Sequence, residues 1–420
     1  MKRYEEYKDT GIGWIPELPH NWDTKKISSL FDERRTKVSD KDYAPLSVSK
    51  SGITPQLETA VKSDNGDNRK LVVAGDFVVN SRSDRKGSCG ISPLTGSVSL
   101  INIVLHPRRE INGNYFHYLS RSNNYIEEYY RLGRGIVADL WTTRYSELKS
   151  IYIPYPPLAE QEKIVRFLES KTLCIDAYVA ERERELQLLN ELKESEIANI
   201  ITRGLNPDVK MKSYNSLIAS AYPEHWELKR NKSFMSLTGY KVGNNANQYT
   251  LLSLTTKGVI VRDIESGKGK FPKEFDDYQV VKKDELVFCL FDIDETPRTV
   301  GLVNTEGMIT GAYTALKVNR EYAIPEYIYY YYLCVDNIKA LKPYYSGLRK
   351  TVRADKFLQL YMPLPPIDEQ CAIVSYIEDK CNKINSLITE LEGEIEYLKE
   401  YKQKLIADCV TGQINVQSEI

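Results

Sequence analysis

The stretch that decides the fold occurs twice in this chain. Residues 156–161 have the sequence PPLAEQ and are followed by Ile164-Val165, and residues 365–370 have the sequence PPIDEQ and are followed by Ile373-Val374. The offset of 209 residues continues without a gap through the segment that follows each motif. Composition alone does not produce such a match, and an internal repeat changes the interpretation of every local motif. The chain therefore contains a duplicated module.

The region before each motif repeats more loosely. Trp22 matches Trp226 at an offset of 204, and Asp76 matches Asp284 at an offset of 208. The changing offset indicates that loops in this region have gained and lost residues. A repeat of this length is far longer than a solenoid unit, whose period is roughly 20 to 50 residues. The chain is therefore predicted to contain two copies of one large module, each with a variable domain followed by a nearly invariant segment.

Apolar residues recur at steps of three and four through both invariant segments, which predicts one long helix in each. These stripe residues are Ile164, Ile175 and Leu189 in the first segment and Ile373, Ile384, Leu391 and Leu398 in the second. A helix of about 40 residues is about 60 Å long, and with one apolar stripe it requires a partner to be stable. We expect the two helices to pair antiparallel as a coiled coil.

These patterns divide the chain into four parts. Residues 1–155 and 206–364 are the variable domains, and residues 156–205 and 365–416 are the helical spacers. The predicted fold class is α+β, with mixed α/β content in two pseudo-symmetric domains that two long antiparallel helices separate. The spacers form a rod with a domain at each end.

Within the variable domains, β-branched and aromatic residues between Gly-rich turns predict strands over 71–80, 98–105, 284–291 and 314–318. Residues 115–130 and 326–341 have helical patterns. The tyrosines at 327 and 329–332 suit either a base-stacking platform or, with more weight, a helix face packed on a sheet.

The net charge of −1 hides an alternation along the repeat. Residues 1–150 carry 23 Lys and Arg against 19 Asp and Glu, and residues 211–360 carry 21 against 17. The helical segments are acidic, with 8 against 11 in 151–210 and 5 against 11 in 361–420. Basic domains suit a polyanion and acidic helices suit a protein partner, although ordinary solvated faces would account for the charges equally well.

No apolar run approaches the roughly 18 residues of a membrane span, and the polar N-terminal residues do not resemble a signal peptide, so we expect no membrane association and a cytoplasmic location. The seven cysteines are scattered and never form a C-x-x-C pair, which argues against disulfides and zinc. We expect them to be small core residues.

Several kinds of catalytic site are missing from the sequence. There is no G-x-x-x-x-G-K-[ST] loop for ATP, and no third glycine completes a dinucleotide motif. The four histidines form no H-x-x-x-H spacing, and no Asn or Asp precedes the Pro-Pro pairs as in an amino-methyltransferase. We therefore predict that the chain alone is not an enzyme and binds neither a metal nor a cofactor.

These features together resemble one family. The opening Gly11-x-Gly13-Trp14-Ile15-Pro16, the Pro19-x-x-Trp22 pair, the repeated Pro-Pro-x-x-Glu-Gln-x-x-Ile-Val and the helices ending at Thr202 and Thr411 resemble the specificity (S) subunit of type I restriction–modification systems. The resemblance covers the whole chain. It implies that each variable domain is a target recognition domain for one half of a split site in double-stranded DNA.

The same resemblance implies the partners and their cofactors. The helices would act as a spacer and bind methyltransferase (M) subunits, two of them by our expectation, and the complex would recruit restriction (R) subunits that translocate and cleave DNA. The assembled complex would methylate adenine, while S-adenosylmethionine, ATP and Mg²⁺ would belong to the partner subunits. The candidate partner-binding residues of the spacer helices are the stripe residues together with Gln161 and Gln370.

Candidate DNA contacts are basic residues in equivalent turns and loops. They are Lys50, Arg82, Arg85, Lys86, Arg134 and Arg144 in the first domain, and Lys257, Arg298, Arg349, Lys350 and Arg353 in the second. Arginine can contact guanine by two hydrogen bonds or anchor a phosphate, and only the first specifies sequence. A surface or ion-pair role is an equal alternative for any one of them.

Two other functions stay open at this point. A coiled-coil scaffold that does not bind DNA would explain the helices and the missing catalysis, but it would not need two divergent basic domains. A nuclease acting alone would need a cluster of metal-binding carboxylates, and none stands out.

Overall fold

The computed structural model describes residues 2–50, 52–56, 66–82, 86–108, 111–135, 141–262, 275–346 and 350–418. The chain divides into two compact units. Unit 1 consists of Met1–Glu183 together with Glu392–Ile420, and unit 2 is the continuous segment Arg184–Leu391. Both long helices cross the boundary between the units, so each unit contains part of both.

The strands of the first half are β1 (Tyr7–Ile12), β2 (Ile15–Pro19), β3 (Asp23–Lys26), β4 (Phe31–Glu33), β5 (Lys37–Val38), β6 (Leu46–Ser49), β7 (Gly52–Pro55), β8 (Arg69–Val72), β9 (Phe77–Asn80), β10 (Cys89–Ile91), β11 (Gly96–Val98), β12 (Asn102–Pro107) and β13 (Tyr152–Tyr155). Those of the second half are β14 (Met211–Ser213), β15 (Ala221–Pro223), β16 (Glu227–Arg230), β17 (Met235–Leu237), β18 (Tyr240–Lys241), β19 (Leu252–Thr255), β20 (Gly258–Val261), β21 (Gln279–Val281), β22 (Leu286–Phe288), β23 (Val300–Leu302), β24 (Gly307–Ile309), β25 (Thr314–Val318) and β26 (Tyr361–Leu364).

The helices are α1 (Ile27–Leu30), α2 (Gly113–Ser120), α3 (Asn123–Arg131), α4 (Tyr145–Leu148), α5 (Leu158–Arg203), α6 (Pro325–Asn337), α7 (Ala354–Phe357) and α8 (Ile367–Val410). The predicted helix over 115–130 is two helices, because Ser122 caps the second one by accepting a hydrogen bond from the Tyr125 amide. The two long spacer helices are present as expected.

The duplication is visible in the sheets. Unit 1 has a four-stranded sheet of order β10-β9-β12-β4 and a three-stranded sheet of order β11-β8-β5. Unit 2 has the same arrangement, β23-β22-β25-β17 and β24-β21-β18. All of these pairs are antiparallel. The two variable domains therefore share one topology despite their different loop lengths.

The structure corrects one position in the sequence comparison. The turn before β9 is closed by hydrogen bonds from the Asp76 amide to Val73 and from the Val73 amide to the Asp76 carboxylate. In the turn before β22, Glu285 and Lys282 make the same two bonds. Glu285, and not Asp284, is therefore the equivalent of Asp76, and the offset of 209 already holds at this turn.

Each unit has one large aromatic core. In unit 1, Phe116 of α2 lies 4.5 Å from Phe31 and 4.7 Å from Phe77, measured between ring centroids. In unit 2, Phe288 lies 4.8 Å from Phe357 and 5.1 Å from Tyr332. Tyr327, Tyr331 and Tyr332 are fully buried, which confirms the packing interpretation of this tyrosine-rich helix.

Both long helices contribute to these cores. The end of α8 supplies Ile406, Cys409 and Val410 to the unit 1 core beside the start of α5, and the Tyr115 hydroxyl donates to the Val410 carbonyl at 2.9 Å. The end of α5 supplies Ile197, Ile200 and Ile201 to the unit 2 core beside the start of α8. Unit 1 therefore depends on residues from both ends of the chain.

Within each unit, α5 and α8 are antiparallel neighbours. In unit 1, Lys402 binds Asp176 and Lys399 binds Glu183. In unit 2, Lys193 donates to Asn385 at 3.0 Å, and these residues are the repeat equivalents of Lys402 and Asp176. The predicted antiparallel pairing is confirmed inside each unit.

Two further findings concern composition. Cys174 and Cys371 are exposed, so the expectation that all cysteines are core residues was wrong for these two, whereas Cys89, Cys289, Cys334 and Cys409 are buried. Within the described ranges, no helix combines the length and the apolar content needed to cross a membrane.

Candidate nucleic-acid interface

Three backbone segments of unit 1 meet at Thr142. Arg82, just after β9, and Arg134, just after α3, each form an isolated β-bridge to Thr142. The Arg134 amide donates to the Thr142 carbonyl at 2.9 Å, and the Thr142 amide returns a bond at 3.0 Å. Arg82 and Arg134, predicted from distant parts of the sequence, are thereby brought to one exposed place. We call this group, with Thr142, the unit 1 arginine cluster.

Aromatic residues support this cluster. The Trp141 indole donates to the Tyr130 carbonyl at 2.9 Å and packs against Gly133, where even a β-carbon would collide with it. Lys86 lies with its ammonium 3.7 Å from the Tyr130 ring centroid and 3.0 Å from a Glu127 carboxylate oxygen. Lys86 is therefore held along α3, and a DNA contact would require it to leave these partners. Arg85 lies outside the described residues.

Unit 2 repeats this backbone arrangement with different side chains. Phe291 and Ser346 both bridge to Thr351, and Phe291 and Thr351 are the equivalents of Arg82 and Thr142 at the offset of 209.

Lys350 beside them bonds Glu295 at 2.9 Å and Asp294 at 3.3 Å, and these bonds raise the pKa of its ammonium. The same position therefore presents two arginines in unit 1, where Arg134 lies 3.5 Å from a Glu147 carboxylate oxygen, and an aromatic ring with a paired lysine in unit 2. Arg349 is outside the described residues.

Arg144 and Arg353 hold equivalent positions. Each is the last extended residue before a short helix, α4 in unit 1 and α7 in unit 2, and both are exposed. Arg353 donates to the Asp355 carboxylate at 3.0 Å.

Lys50 and Lys257 also hold equivalent positions, in the turns of the β6–β7 and β19–β20 hairpins. Each turn is completed by a glycine with positive φ, Gly52 at +117° and Gly258 at +96°. The preceding hydroxyls of Ser49 and Thr255 donate to these glycines' carbonyls at 3.2 and 3.0 Å. Both lysines are exposed.

Arg298 has an internal role that the sequence did not indicate. Its guanidinium donates to the Asp336 carboxylate at 3.1 Å and to Asn337 at 3.0 Å, and its side chain is only 17% exposed. Asp336 is buried and also accepts from the Thr299 amide. Moving Arg298 to a DNA phosphate would weaken the pairing of a buried carboxylate, which is costly. We therefore do not include it among the proposed DNA contacts.

The glutamines of the repeated motif join each domain to its spacer helix. Gln161 is fully buried; its carbonyl oxygen accepts from the Asn112 amide, and its amide donates to the Pro156 carbonyl, both at 2.9 Å. Asn112 caps the start of α2, so Gln161 couples α2 to the start of α5. Gln370 does the same in unit 2 through the Ile324 amide and the Tyr322 and Pro365 carbonyls.

The predicted spacer residues lie in the cores and along the helix pair. Ile164, Ile373 and Ile384 are buried, while Ile175, Leu189, Leu391 and Leu398 are half-buried. These side chains, with Gln161 and Gln370, hold the fold together, and residues on the outer helix faces are better placed to meet a partner.

Those outer faces carry apolar side chains that the stripe analysis did not single out. In unit 1, Tyr397 is 66% exposed, and Tyr178 and Tyr401 are exposed as well. The offset of 209 relates Tyr178 to Leu387, Leu188 to Tyr397 and Leu192 to Tyr401, and all three leucines are exposed in unit 2. Comparing exposure at equivalent positions of the repeat is the signal that identifies them.

These residues form one edge of the helix pair. The Tyr178 hydroxyl bonds Glu394 at 3.0 Å, and Tyr397 and Tyr401 follow Glu394 at steps that stay on one helix face. Lys399, which binds Glu183, is five residues from Glu394 and lies on another face. We call Tyr178, Tyr397 and Tyr401 the unit 1 apolar edge, and Leu188, Leu192 and Leu387 the unit 2 apolar edge.

Comparisons with known proteins agree with this architecture. Residues 19–188 match the family model of the type I restriction modification DNA specificity domain. A relative described as the specificity subunit of a type I restriction enzyme, MjaX of Methanocaldococcus jannaschii, is 22% identical over 99% of this chain and 98% of its own length. The StySPI specificity subunit of Salmonella potsdam is 21% identical over 96% of this chain and 91% of its own length.

A solved structure has the same fold. It comes from a study of complex assembly and conformational transition in the type I R-M system, and it aligns with a TM-score of 0.67 over 94% of this chain and 99% of its own, at 15% identity. Residues 19–188 therefore carry a type I restriction modification DNA specificity domain, and the chain as a whole is similar to type I specificity subunits.

The similarity to specificity subunits agrees with the missing catalytic motifs. The relatives are specificity subunits, so this chain is a non-catalytic subunit. In the part of the chain that the structure describes, no three His, Cys, Asp or Glu side chains are grouped so that they could hold a metal ion.

Proposed function

We propose that this chain recognises a bipartite site in double-stranded DNA and directs methyltransferase and restriction subunits to it. The observation that carries the proposal is the duplicated recognition topology with divergent side chains at the same place, Arg82 and Arg134 in one unit and Phe291 and Lys350 in the other. Local two-fold symmetry of duplex DNA suits a duplicated protein, and unequal domains would recognise unequal half-sites. A scaffold that does not bind DNA has no need of this divergence.

The proposed DNA contacts centre on the unit 1 arginine cluster and on its equivalent around Thr351. Lys50, Arg144, Lys257 and Arg353 occupy matched exposed positions and complete the set. Arginine is well suited to guanine edges and to phosphates, and a half-buried aromatic ring such as Phe291, which stacks on Tyr313, suits the thymine methyl group or a sugar. The half-site recognised by unit 1 should therefore depend more on charge than the half-site recognised by unit 2.

The proposed recognition of DNA is tested by measuring how protein variants bind to DNA sites altered in one half at a time. A complex of this chain with its methyltransferase subunit would first be used to select a site from random duplexes. Arg82→Ala and Arg134→Ala should then weaken binding by roughly 1–3 kcal/mol each, with altered base preference only in one half of the site. Arg108→Ala, which removes an exposed arginine that binds Asp32 elsewhere in unit 1, is the matched control. Equal loss for the control and the cluster variants would refute the assignment.

The apolar edges supply a site for the methyltransferase subunits. Exposed Tyr and Leu side chains at equivalent positions offer the same contact twice, and aromatic residues are favoured in protein interfaces. Divergent recognition domains and matched helix edges together suit two different half-sites and two copies of one partner. We therefore propose that two methyltransferase subunits bind, one on the apolar edge of each unit.

This stoichiometry is tested by mass measurement of complexes formed with excess methyltransferase subunit. Tyr397→Ser/Tyr401→Ser should lower the number of bound subunits from two to one, and Leu188→Ser/Leu192→Ser should do the same independently. Lys399→Ala lies on another face and should leave two bound. If both double variants still bind two subunits, the edges are not the docking surfaces.

The remaining parts of the proposal concern chemistry outside this chain. S-adenosylmethionine, ATP and Mg²⁺ would be bound by the methyltransferase and restriction subunits, and this chain would need no cofactor. Restriction subunits would join through the assembled complex, which we place in the cytoplasm. Equilibrium dialysis of the purified chain with S-adenosylmethionine, ATP or Mg²⁺ should detect no stoichiometric binding.

A further inference from the structure

A cleft in unit 2 combines three lysines with an exposed tyrosine. It lies between the β17–β18 segment, the turn that joins β21 to β22, and the end of β25. Lys282, Lys283 and Lys317 line it and are exposed, and none of them has an ion-pair partner in the described ranges. Tyr240 is 78% exposed at its rim. None of these residues was singled out by the sequence.

The equivalent place in unit 1 holds an ion pair. There Arg34 donates to the Asp76 carboxylate through two bonds of 2.6 and 3.0 Å, and His106 lies 3.1 Å from the same carboxylate. Asp76 is 1% exposed and also caps the Val73 amide. An internal ion pair therefore occupies the position in unit 1.

Matching strand registers identify what replaced this ion pair. The Arg34 and Thr238 amides both bond the strand beside them at 2.9 Å, to Val104 and Ala315, so Thr238 replaces Arg34. Leu105 pairs with Glu33 in unit 1, and Leu316 pairs with Leu237 in unit 2, so Leu105 and Leu316 are equivalent. The next residue on each strand is His106 in unit 1 and Lys317 in unit 2, so Lys317 replaces His106.

The turn supplies the remaining two changes. Because Glu285 corresponds to Asp76, Lys282 replaces Val73 and Lys283 replaces Ala74. The place held by the Arg34–Asp76 ion pair in unit 1 is thus a cleft in unit 2. Three lysines that unit 1 lacks line this cleft. Random surface variation would not be expected to remove the internal arginine and add three lysines around the same cleft.

The acidic groups at the cleft do not neutralise these lysines. Glu285 is buried and accepts from the Lys282 amide at 3.0 Å. Asp284 pairs with Arg320 at 2.7 Å. Counting Arg320 and the three lysines against Asp284 and Glu285 leaves two positive charges at the cleft, which suits a phosphate backbone.

We propose that this cleft holds the sugar–phosphate backbone of duplex DNA at the half-site recognised by unit 2, with no counterpart contact in unit 1. The inference rests on the proposed function and adds to it a second contact surface in one domain only. The three lysines neutralise phosphates, and Tyr240 packs against a sugar or donates its hydroxyl to a phosphate. The contact positions the DNA and carries no base information itself.

The test compares charge-matched variants of the complete chain in complex with its methyltransferase subunit. Lys282→Gln/Lys283→Gln removes two cations from the cleft, and Lys210→Gln/Lys212→Gln removes two exposed lysines of unit 2 that do not line it. Affinity for the selected DNA site is measured over a range of salt concentrations. Each lost phosphate contact should reduce the slope of log affinity against log salt by about 0.9 and the affinity near 0.1 M salt by roughly eightfold.

The cleft variant should lose both quantities and the control neither, while the ratio of specific to nonspecific binding stays nearly constant. Adding Lys317→Gln should reduce the slope by a further step, and Tyr240→Ala should weaken binding with the slope preserved. An unchanged slope in the triple lysine variant would overturn the inference. So would weakened assembly with the methyltransferase subunit at unchanged DNA affinity, since the cleft would then be a protein-binding surface.

Failure of the proposed function would give a different result. A wild-type complex that selects no bipartite site would overturn that function and this inference with it. A wild-type complex that selects one, with cleft variants that bind it normally, would overturn the inference alone.

Discussion

Replacement of the buried motif glutamines by methionine should destabilise the two units by different amounts. Methionine nearly conserves the side-chain volume, so the effect comes from lost hydrogen bonds and not from a cavity. Gln161→Met leaves the Asn112 amide and the Pro156 carbonyl without their partner. Gln370→Met leaves the Ile324 amide and two carbonyls, Tyr322 and Pro365, without theirs. The structure therefore predicts a larger loss in unit 2.

The expected magnitudes follow from the cost of an unsatisfied buried polar group, about 1–3 kcal/mol. Some of the freed groups will find water, so we expect a loss of about 2–4 kcal/mol for Gln161→Met and about 3–6 kcal/mol for Gln370→Met. Gln187→Met is the control, because Gln187 is exposed on α5 and its side-chain amide donates to Glu191 in the next turn.

Hydrogen exchange followed by mass spectrometry can assign each loss to a unit. Gln161→Met should accelerate exchange in α2 and the strands of unit 1, and Gln370→Met should accelerate it in α6 and the strands of unit 2. Urea unfolding gives the accompanying free energies. Normal protection in α2 of Gln161→Met would refute the role of this glutamine as the link between domain and spacer helix.

Other changes test separate parts of the structure. The pKa of His117 is lowered to about 4 by burial and the nearby Arg121. Because the unfolded state binds the proton more readily, the free energy of unfolding should fall by up to about 3 kcal/mol as pH drops from about 6.5 to about 4. In urea titrations, His117→Gln should remove this pH dependence. Arg298→Met should leave Asp336 poorly paired and cost about 3–5 kcal/mol, measured by urea unfolding, whereas Arg298→Lys should recover part of the loss. Inserting four residues after Glu183 and four before Glu392 should lengthen each spacer helix by about 6 Å. The altered protein should then select a DNA site whose unread spacer is about two base pairs longer. An unchanged site would show that the helices do not set the spacing.

The repeat made much of the fold predictable. An offset kept without gaps, together with apolar residues at steps of three and four, is enough to specify both long helices, and their ends at Arg203 and Val410 lie close to the predicted ends. The shared topology of the two domains follows from the weaker repeat around Trp22 and Trp226. Loop lengths hid the one-residue shift at Glu285, because only hydrogen bonds distinguish it from Asp284.

The candidate site was less predictable because it depends on tertiary pairing. Nothing local in the sequence shows that Arg82 and Arg134 meet at Thr142, or that Arg298 is held by Asp336. The role of Gln161 was also hidden, since a glutamine beside a helix start usually faces solvent. The lysine cleft arises from three segments of unit 2 that are adjacent only in the folded domain.

The measurement that tests the central claim most directly is selection of duplexes from a random pool by the complex of this chain with its methyltransferase subunit, followed by sequencing of the bound DNA. We predict two short specified blocks of different sequence, separated by an unspecified spacer of constant length. Arg82→Ala should alter one block and leave the other unchanged. Enrichment of a single continuous motif, or no enrichment at all, would contradict the claim that two divergent copies of one domain recognise the two halves of a DNA site.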